Sequence, residues 1–208
     1  MTDPGADAHL RETCVSSEEL ARGSFLKVLC DTVALPDGGT ATREYVVHPG
    51  AVMVVPLIEE PGEPLRVVLE RQFRYPVAQV MVEFPAGKLD SGEGTQFCAQ
   101  RELREETGYQ ASGWVRAGVI HPVIAYSTEF IDVWFARGLT AGPQQLDRGE
   151  FLEVFTATAE EVVAWCLQGR ITDAKTVAAA LWLKSYMAGN WTPAWGPAVE
   201  LFVEPASE

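Results

Sequence analysis

Apolar segments predict strands through the first 84 residues. The segment 51–58 (AVMVVPLI) is continuously apolar, as expected for a central strand that is covered on both faces. A turn at 61–64 (PGEP) follows, so the segment 65–71 is predicted to return as its hairpin partner. Residues 1–22 are predicted to form a mobile arm or a short helix, which the Ser-Ser-Glu-Glu run at 16–19 could cap. The other strands predicted in this half are 24–30, 42–48 and 80–84.

Helical periodicity begins after residue 94 and returns near the C-terminus. The segment 95–107 has the apolar side of a packed helix, and Gly108 stands where a glycine commonly ends one. Further helices are predicted at 159–168 and 173–187, and the intervening strands at 114–121, 130–137 and 153–157.

Strands and helices do not alternate along this chain, which argues against a doubly wound parallel sheet. The order of the elements predicts a protein of mixed α/β class, of the α+β type in which strands and helices are segregated along the chain. We expect a mixed central sheet between helices and a small N-terminal β-rich extension. We expect residues 1–48 to form an arm and antiparallel strands, residues 49–188 the main domain, and residues 189–208 an irregular tail.

The composition is that of one domain, or of one domain with a small appendage. The chain has 208 residues, of which 47% are hydrophobic, and this suffices for a full core. No apolar run has the length of a membrane span, and the polar start shows no secretory pattern. The four cysteines form no Cys-x-x-Cys pair, so we expect reduced thiols in a cytoplasmic protein.

The formal net charge of −13 restricts the partners that the chain attracts. Long-range electrostatics would repel nucleic acid and an anionic membrane surface, so neither is an expected partner. A substrate that carries phosphates would need a local source of positive charge. Metal ions, a few well-placed arginines, or both would have to provide it.

The strongest chemical signal is an acidic face on the predicted helix 95–107. Glu102, Glu105 and Glu106 lie at i, i+3 and i+4 and therefore share one side. Such like charges destabilise a helix by about 0.3 kcal/mol per pair, whereas Mg²⁺ prefers carboxylate oxygens together with water and phosphate oxygens. An isolated acidic run is usually a solvated surface. Here Glu93 can fold over the same face, and Arg101 can pair with a carboxylate.

The glycines that flank this helix complete a known motif. Residues 87–93 read Gly-Lys-Leu-Asp-Ser-Gly-Glu, and residues 101–109 read Arg-Glu-Leu-Arg-Glu-Glu-Thr-Gly-Tyr. The spacing resembles the Nudix box, Gly-x5-Glu-x7-Arg-Glu-apolar-x-Glu-Glu-x-Gly-apolar, although Tyr109 stands where an aliphatic residue is commoner. The resemblance implies a hydrolase of nucleoside diphosphates linked to another moiety, built as an α/β/α sandwich with a loop–helix–loop catalytic element.

The resemblance also implies roles for individual residues of the box. Glu102 and Glu106 would be metal ligands, Glu105 would be a ligand or a supporting catalytic residue, and Glu93 would help to hold the metal site. The backbone carbonyl of Ala86 would be a further ligand. The expected cofactor is Mg²⁺, for which Mn²⁺ can substitute.

Segments outside the box resemble the ADP-ribose pyrophosphatase branch of the Nudix superfamily. The likeness covers roughly residues 24–187 and implies a homodimer that hydrolyses ADP-ribose to AMP and ribose 5-phosphate. The family's marker proline lies a few residues farther past the box than Pro122, so a nucleotide sugar such as GDP-mannose stays open as the substrate. A nucleotide sensor without catalysis is disfavoured, because every glutamate of the box is present. The segments are 48–52 (HPGAV), 70–76 (ERQFRYP), 83–90 (EFPAGKLD), 149–154 (GEFLEV) and 171–176 (ITDAKT).

The same branch implies roles for residues beyond the box. Arg74 would grip the diphosphate, and Glu150, on a mobile loop, would orient or deprotonate the attacking water. Glu129 is the competing catalytic base, since it also lies on a loop just before a predicted strand. Arg43 and Glu44 are candidates for contacts with the nucleobase or the ribose.

Overall fold

The computed structural model describes residues 7–199, which divide into two compact units. The first unit runs to Gly50 and includes Val123–Glu129, and the second comprises Ala51–Pro122 and the chain from Phe130 onward. Within the described residues, none of the helices combines the length and the apolarity needed to cross a membrane.

The first unit contains a three-stranded antiparallel sheet in the order β1-β2-β3. Its strands are β1 (Thr13–Arg22), β2 (Lys27–Ala34) and β3 (Thr40–Val47). The predicted short helix near residue 16 is therefore wrong. Strand β1 pairs with β2 from Thr13↔Ala34 to Arg22↔Lys27, and this ladder prevails because an isolated helix of so few residues is only marginally stable.

The second unit is built on an eight-stranded mixed sheet, which confirms the predicted fold class. The strand order is β10-β5-β4-β9-β8-β11, with β6 paired to β5 and β7 paired to β4. Strands β4 and β9 run parallel, whereas the other pairs in this sheet are antiparallel. The strands are β4 (Ala51–Ile58), β5 (Arg66–Arg74), β6 (Gln79–Glu83), β7 (Ala86–Lys88), β8 (Tyr109–Ile120), β9 (Ile131–Ala141), β10 (Leu152–Thr158) and β11 (Gly196–Pro197).

Strand β4 explains why helices cover both faces of this sheet. Successive strand residues point to opposite faces, so a strand that is apolar at every position can contribute to two cores. Val52 and Val54 pack in a cluster with Cys98 and Leu103 of α1 (Thr95–Thr107). Residues Met53, Val55 and Leu57 belong to a second cluster that includes residues of α2 (Ala159–Leu167) and α3 (Ala174–Met187).

The ends of α1 fix the position of its acidic face. The helix begins after Gly94 and ends at Gly108, with the bounds expected from the sequence. Gly108 has φ 75°, a left-handed conformation that favours glycine, and its N–H donates to the carbonyl oxygen of Arg104 at 2.9 Å. A Cβ at this position would lie 2.4 Å from the carbonyl oxygen of Gly142. The turn therefore requires glycine both for its conformation and for close packing.

Candidate active site

The innermost carboxylate of α1 is fixed against strand β7. Glu106 is only 3% exposed, and its Oε2 accepts a hydrogen bond from the backbone N–H of Ala86 at 2.9 Å. Ala86 is itself held on the sheet, where it pairs with Met53 of β4. The structure thus brings together two of the metal-site residues expected from the sequence.

A second carboxylate of the helix lies directly over Gly87. A Cβ built on Gly87 would lie 1.9 Å from both Cδ and Oε1 of Glu102. No side chain fits there unless the carboxylate moves. The glycine at the start of the box is therefore explained by the space that Glu102 occupies.

Arg101 ties the outer part of the acidic face together. Its Nε and Nη2 each donate to Glu93 at 2.9 Å, and its Nη1 donates to Glu102 at 2.7 Å and to Glu105 at 3.2 Å. Glu93 also accepts a hydrogen bond at 3.0 Å from the backbone N–H of Asp90. The carboxylate of Glu93 is thus engaged with Arg101 and the loop backbone.

Two further carboxylates, to which the sequence alone assigned no role, are buried on strands β5 and β6. Glu70 of β5 and Glu83 of β6 are directly paired across the strands, and they are 0% and 2% exposed. Glu83 accepts hydrogen bonds from Arg74 at 2.8 and 2.9 Å and a further one from Lys175. Glu70 follows the buried run Val67–Leu69, and a charged residue directly after such a run was the sequence signal that could have revealed it.

Arg74 and its partners form a connected polar group that links strands β5 and β6 to the start of α3. Arg74 keeps 39% of its side chain exposed, while Glu83 holds the guanidinium in a bidentate pair. Lys175 also donates to Asp173 at 3.0 Å, and Asp173 caps α3 by accepting from the N–H of Thr176. The expected diphosphate-binding arginine is therefore fixed in direction and remains accessible.

The electrostatics of the buried carboxylates favour a bound cation. Burial and, next to it, the charge of Glu83 together raise the pKa of Glu70 to about 7, against the opposing charges of Arg74 and Lys175. Burial also raises the pKa of Glu106 well above its usual range, as do the charges of Glu70, Glu102 and Glu150. Both oxygens of Glu70 lack a hydrogen-bond partner among the described residues. A divalent cation would neutralise the charge of a buried carboxylate that has no hydrogen-bond donor and lies among other acids.

The carboxylates do not converge into a ready-made ligand set. Across residues 7–199, no group of three or more His, Cys, Asp or Glu residues is arranged to hold a metal ion. Carboxylates repel one another at short distance, so closer convergence requires a cation between them. The donor atoms nevertheless suit a hard divalent ion, which prefers oxygen ligands. The site offers several carboxylates and the backbone carbonyl of Ala86, the residue whose N–H donates to Glu106.

Glu150, on the loop between β9 and β10, acts electrostatically on the same group of acids. The loop is tied to the end of α1, because the N–H of Gln145 donates to the carbonyl oxygen of Glu105 at 2.9 Å. Oε2 of Glu150 accepts from the N–H of Asp147 at 3.3 Å. The charge of Glu150 contributes to the raised pKa values of Glu102 and Glu106. The candidate base therefore lies in the electrostatic neighbourhood of the candidate metal ligands.

The three remaining site candidates lie in the first unit. Nε of Arg43 donates to Glu12 at 2.9 Å, and Glu44 is exposed on β3. Oε1 of Glu129 lies 3.9 Å from Nε2 of His48. The roles assigned to Arg43, Glu44 and Glu129 stay predictions.

We expect Glu83 to stabilise the protein at neutral pH and to lose this contribution in acid. Burial alone would raise its pKa, but hydrogen bonds and charges from Arg74 and Lys175 outweigh burial and lower the pKa below the ordinary glutamate value of 4.5. A folded pKa below the unfolded one gives a stabilisation that is present above the unfolded pKa and is lost as the pH falls through the folded pKa.

Urea unfolding of the parent and of Glu83→Gln, followed from about pH 7 down to about pH 3, measures this contribution. The parent should be the more stable protein at neutral pH, and the two free energies of unfolding should converge in acid. A difference that does not vary with pH would contradict the assignment.

Comparison with known proteins identifies the family. The family model "NUDIX domain" matches residues 47–180, and the model "Nucleoside diphosphate sugar hydrolase N-terminal domain" matches residues 12–46. The chain is 33% identical to an ADP-ribose pyrophosphatase of Bacillus subtilis over 84% of this chain and 94% of the relative. It is 36% identical to a methanol dehydrogenase activator of Bacillus methanolicus over 83% of this chain and 92% of the relative.

A solved structure supports the fold independently. The crystal structure of an ADP compounds hydrolase superposes with a TM-score of 0.76 at 21% identity, covering 87% of this chain and 97% of that chain. A mixed sheet between helices, with an acidic helix packed on a glycine loop, defines the class of the protein. The chain belongs to the Nudix family and is a Nudix hydrolase similar to the ADP-ribose pyrophosphatases. Members of this family generally use divalent metal ions.

Proposed function

We propose that the protein hydrolyses the diphosphate bond of ADP-ribose, giving AMP and ribose 5-phosphate, with Mg²⁺ as its cofactor. The observation that carries the proposal is the acidic group on α1, in which Glu106 is held by the N–H of Ala86 and the carboxylate of Glu102 lies over Gly87. The accessible Arg74 interacts electrostatically with Glu106. Relatives named ADP-ribose pyrophosphatase support the substrate, because one of them is 33% identical over 84% of this chain.

In this proposal Glu102, Glu106 and the backbone carbonyl of Ala86 hold the cation. Glu93 supports them by fixing Arg101, whose guanidinium also binds Glu102 and Glu105. A bound Mg²⁺, or Mn²⁺ in its place, supplies Lewis acidity that polarises phosphoryl oxygens and lowers the pKa of water.

Arg74 is proposed to bind the diphosphate oxygens. A guanidinium presents several N–H donors in a plane, so it can keep its pair with Glu83 and still donate to phosphate from its exposed side. Charge that builds on the phosphoryl oxygens during the reaction would be stabilised by this preoriented donor.

Glu150 is proposed as the general base. It would accept a proton from water while the water oxygen forms a bond to phosphorus and the bridging P–O bond breaks. The effect of its charge on the pKa values of Glu102 and Glu106 supports this role. Glu129 is the alternative base, and Glu105 is proposed to support the reaction through Arg101.

A wider class of nucleoside diphosphate sugars is the second candidate. The match of residues 12–46 to a nucleoside diphosphate sugar hydrolase N-terminal domain favours it. An ADP-sugar pyrophosphatase of Mus musculus is also 32% identical over 82% of this chain and 87% of the relative. Arg43 and Glu44 lie in the matched segment and are proposed to contact the nucleobase or the ribose.

A substrate panel tests the proposed function. The protein is incubated with Mg²⁺ and ADP-ribose, ADP-glucose, GDP-mannose or NADH, and the released nucleoside monophosphate is measured. ADP-ribose should show the highest kcat/KM, and a chelator should abolish release until Mg²⁺ is restored. Preference for a different sugar would favour the second candidate. Binding of nucleotide without release from any compound would favour a sensor instead.

We also propose a homodimer in the cytoplasm. Strand β1 is exposed along its whole length and is an edge strand of the sheet among the described residues, so the backbone groups on its outer side can pair with a second chain. Four cysteines without disulfides are compatible with a reducing compartment. Sedimentation at several protein concentrations measures the mass, and a monomer at all of them would contradict the dimer.

A further inference from the structure

Glu70 is a buried carboxylate to which the proposed mechanism assigns no role. Glu70 is 0% exposed, and neither of its carboxylate oxygens has a hydrogen-bond partner within the described part of the chain. A buried carboxylate normally binds several donors or an ion, because transfer of an unpaired charge out of water is strongly unfavourable. Its presence in strand β5 therefore requires an explanation beyond packing.

The neighbouring basic residues are already engaged by other acids. Glu83, directly opposite Glu70 on β6, accepts two hydrogen bonds from Arg74 and one from Lys175. Lys175 also donates to Asp173 at 3.0 Å. Two carboxylates that face each other across a strand pair repel, and within residues 7–199 the hydrogen bonds of Arg74 and Lys175 go to Glu83 and not to Glu70.

Glu70 points to the same face of the sheet as α1, the helix that carries Glu106. Burial raises the pKa of Glu106 the most, and among the neighbouring carboxylates Glu70 contributes more to this rise than Glu102 or Glu150. Glu106 is itself 3% exposed and is fixed by the N–H of Ala86. Val67 and Leu69 pack in the cluster that includes residues of α2 and α3, so the alternation of a strand directs Glu70 to the opposite face of the sheet, which is the face that α1 covers.

We infer that Glu70 is a further carboxylate of the cation site, and that it holds the divalent ion bound by Glu106 either directly or through one water. The inference rests on the metal site of the proposed function and adds a ligand from outside the Nudix box. It accounts for the orphaned oxygens of Glu70, since a divalent cation would bind them in place of a protein donor.

The test is a titration of the protein with Mn²⁺ alone, without substrate, for the parent and for Glu70→Gln. Free hexaaqua Mn²⁺ is measured by electron paramagnetic resonance, and the Kd is taken from the depletion of its signal. Glu70→Gln should weaken Mn²⁺ binding about tenfold to a hundredfold, the range known for residues that support a metal site. The control is Glu153→Gln, which removes a carboxylate whose side chain is 74% exposed, on the neighbouring strand β10.

A second measurement separates ligation from a merely structural role. Thermal unfolding is recorded for each protein with chelator and with saturating Mn²⁺. Glu70→Gln removes an unpaired buried charge, so its Tm in chelator should equal or exceed that of the parent, whereas the Mn²⁺-induced rise in Tm should shrink. A merely structural role would change both Tm values equally and leave the rise intact.

The outcomes distinguish this inference from the proposed function. If the parent binds Mn²⁺ and Glu70→Gln binds it with the same Kd and the same Tm shift, the inference is overturned while the metal-dependent hydrolase stands. If the parent binds no Mn²⁺, the metal site and the inference are both overturned. Hydrolysis of ADP-ribose is judged from the substrate panel and does not enter the Mn²⁺ titration.

Discussion

Replacement of Glu106 by glutamine should lower the rate of hydrolysis about a thousandfold without unfolding the protein. The amide oxygen of glutamine can still accept the hydrogen bond from Ala86, so the shape of the site is retained. The negative charge that would bind the cation is lost. Stabilisation by a metal ion is worth several kcal/mol, and about 1.4 kcal/mol corresponds to a factor of ten in rate.

The measurement is kcat with ADP-ribose at saturating Mg²⁺, together with Tm in chelator. Because burial raises the pKa of Glu106, the neutral amide should not destabilise the metal-free protein. Glu160→Gln is the matched control, since it removes an exposed carboxylate from α2. A Glu106→Gln protein as active as the parent would refute the role of Glu106 as a metal ligand.

Replacement of Gly87 by alanine should lower kcat about a hundredfold. The new methyl group would lie 1.9 Å from the carboxylate of Glu102, so this side chain must shift by more than an ångström. A displacement of about 1 Å of a catalytic group can reduce the rate about a hundredfold. The effect should therefore resemble partial loss of the Glu102 ligand rather than loss of the fold.

The control for this variant is Gly94→Ala, at the start of the same helix. A Cβ at Gly94 meets no heavy atom within 4 Å, and its φ of −76° suits any residue. Circular dichroism and Mn²⁺ affinity distinguish a displaced ligand from a misfolded chain. Near-parent activity in Gly87→Ala would mean that the carboxylate of Glu102 is not required where the structure places it.

Elements with strong local signals were predicted correctly. Helix α1 has the bounds 95–107 expected from its periodicity and from Gly108, and β4 has the bounds 51–58 expected from its continuous apolar run. Strand β1 was not predicted, because its residues are exposed throughout and only the partner strand β2 makes the extended conformation favourable. Strand β8 also begins earlier than predicted, at Tyr109 and not at residue 114. The additional residues are extended because they pair with β9, whose ladder continues to Ala141 opposite Tyr109.

The sequence by itself determined the acidic face of α1. The spacing of Glu102, Glu105 and Glu106 follows from helical geometry, and Gly108 from the need for a left-handed residue at the helix end. These features depend on neighbours within a few positions along the chain. They can therefore be read without knowledge of the fold.

Only the tertiary structure decided what surrounds that face. Strand register places Glu70 opposite Glu83. Packing of α3 brings Lys175 into contact with Glu83, from which it is separated by 92 positions in the sequence. The same folding leaves the oxygens of Glu70 without a donor and places the Glu102 carboxylate over Gly87. Such contacts arise from pairing and packing between distant segments, which no local spacing in the sequence encodes.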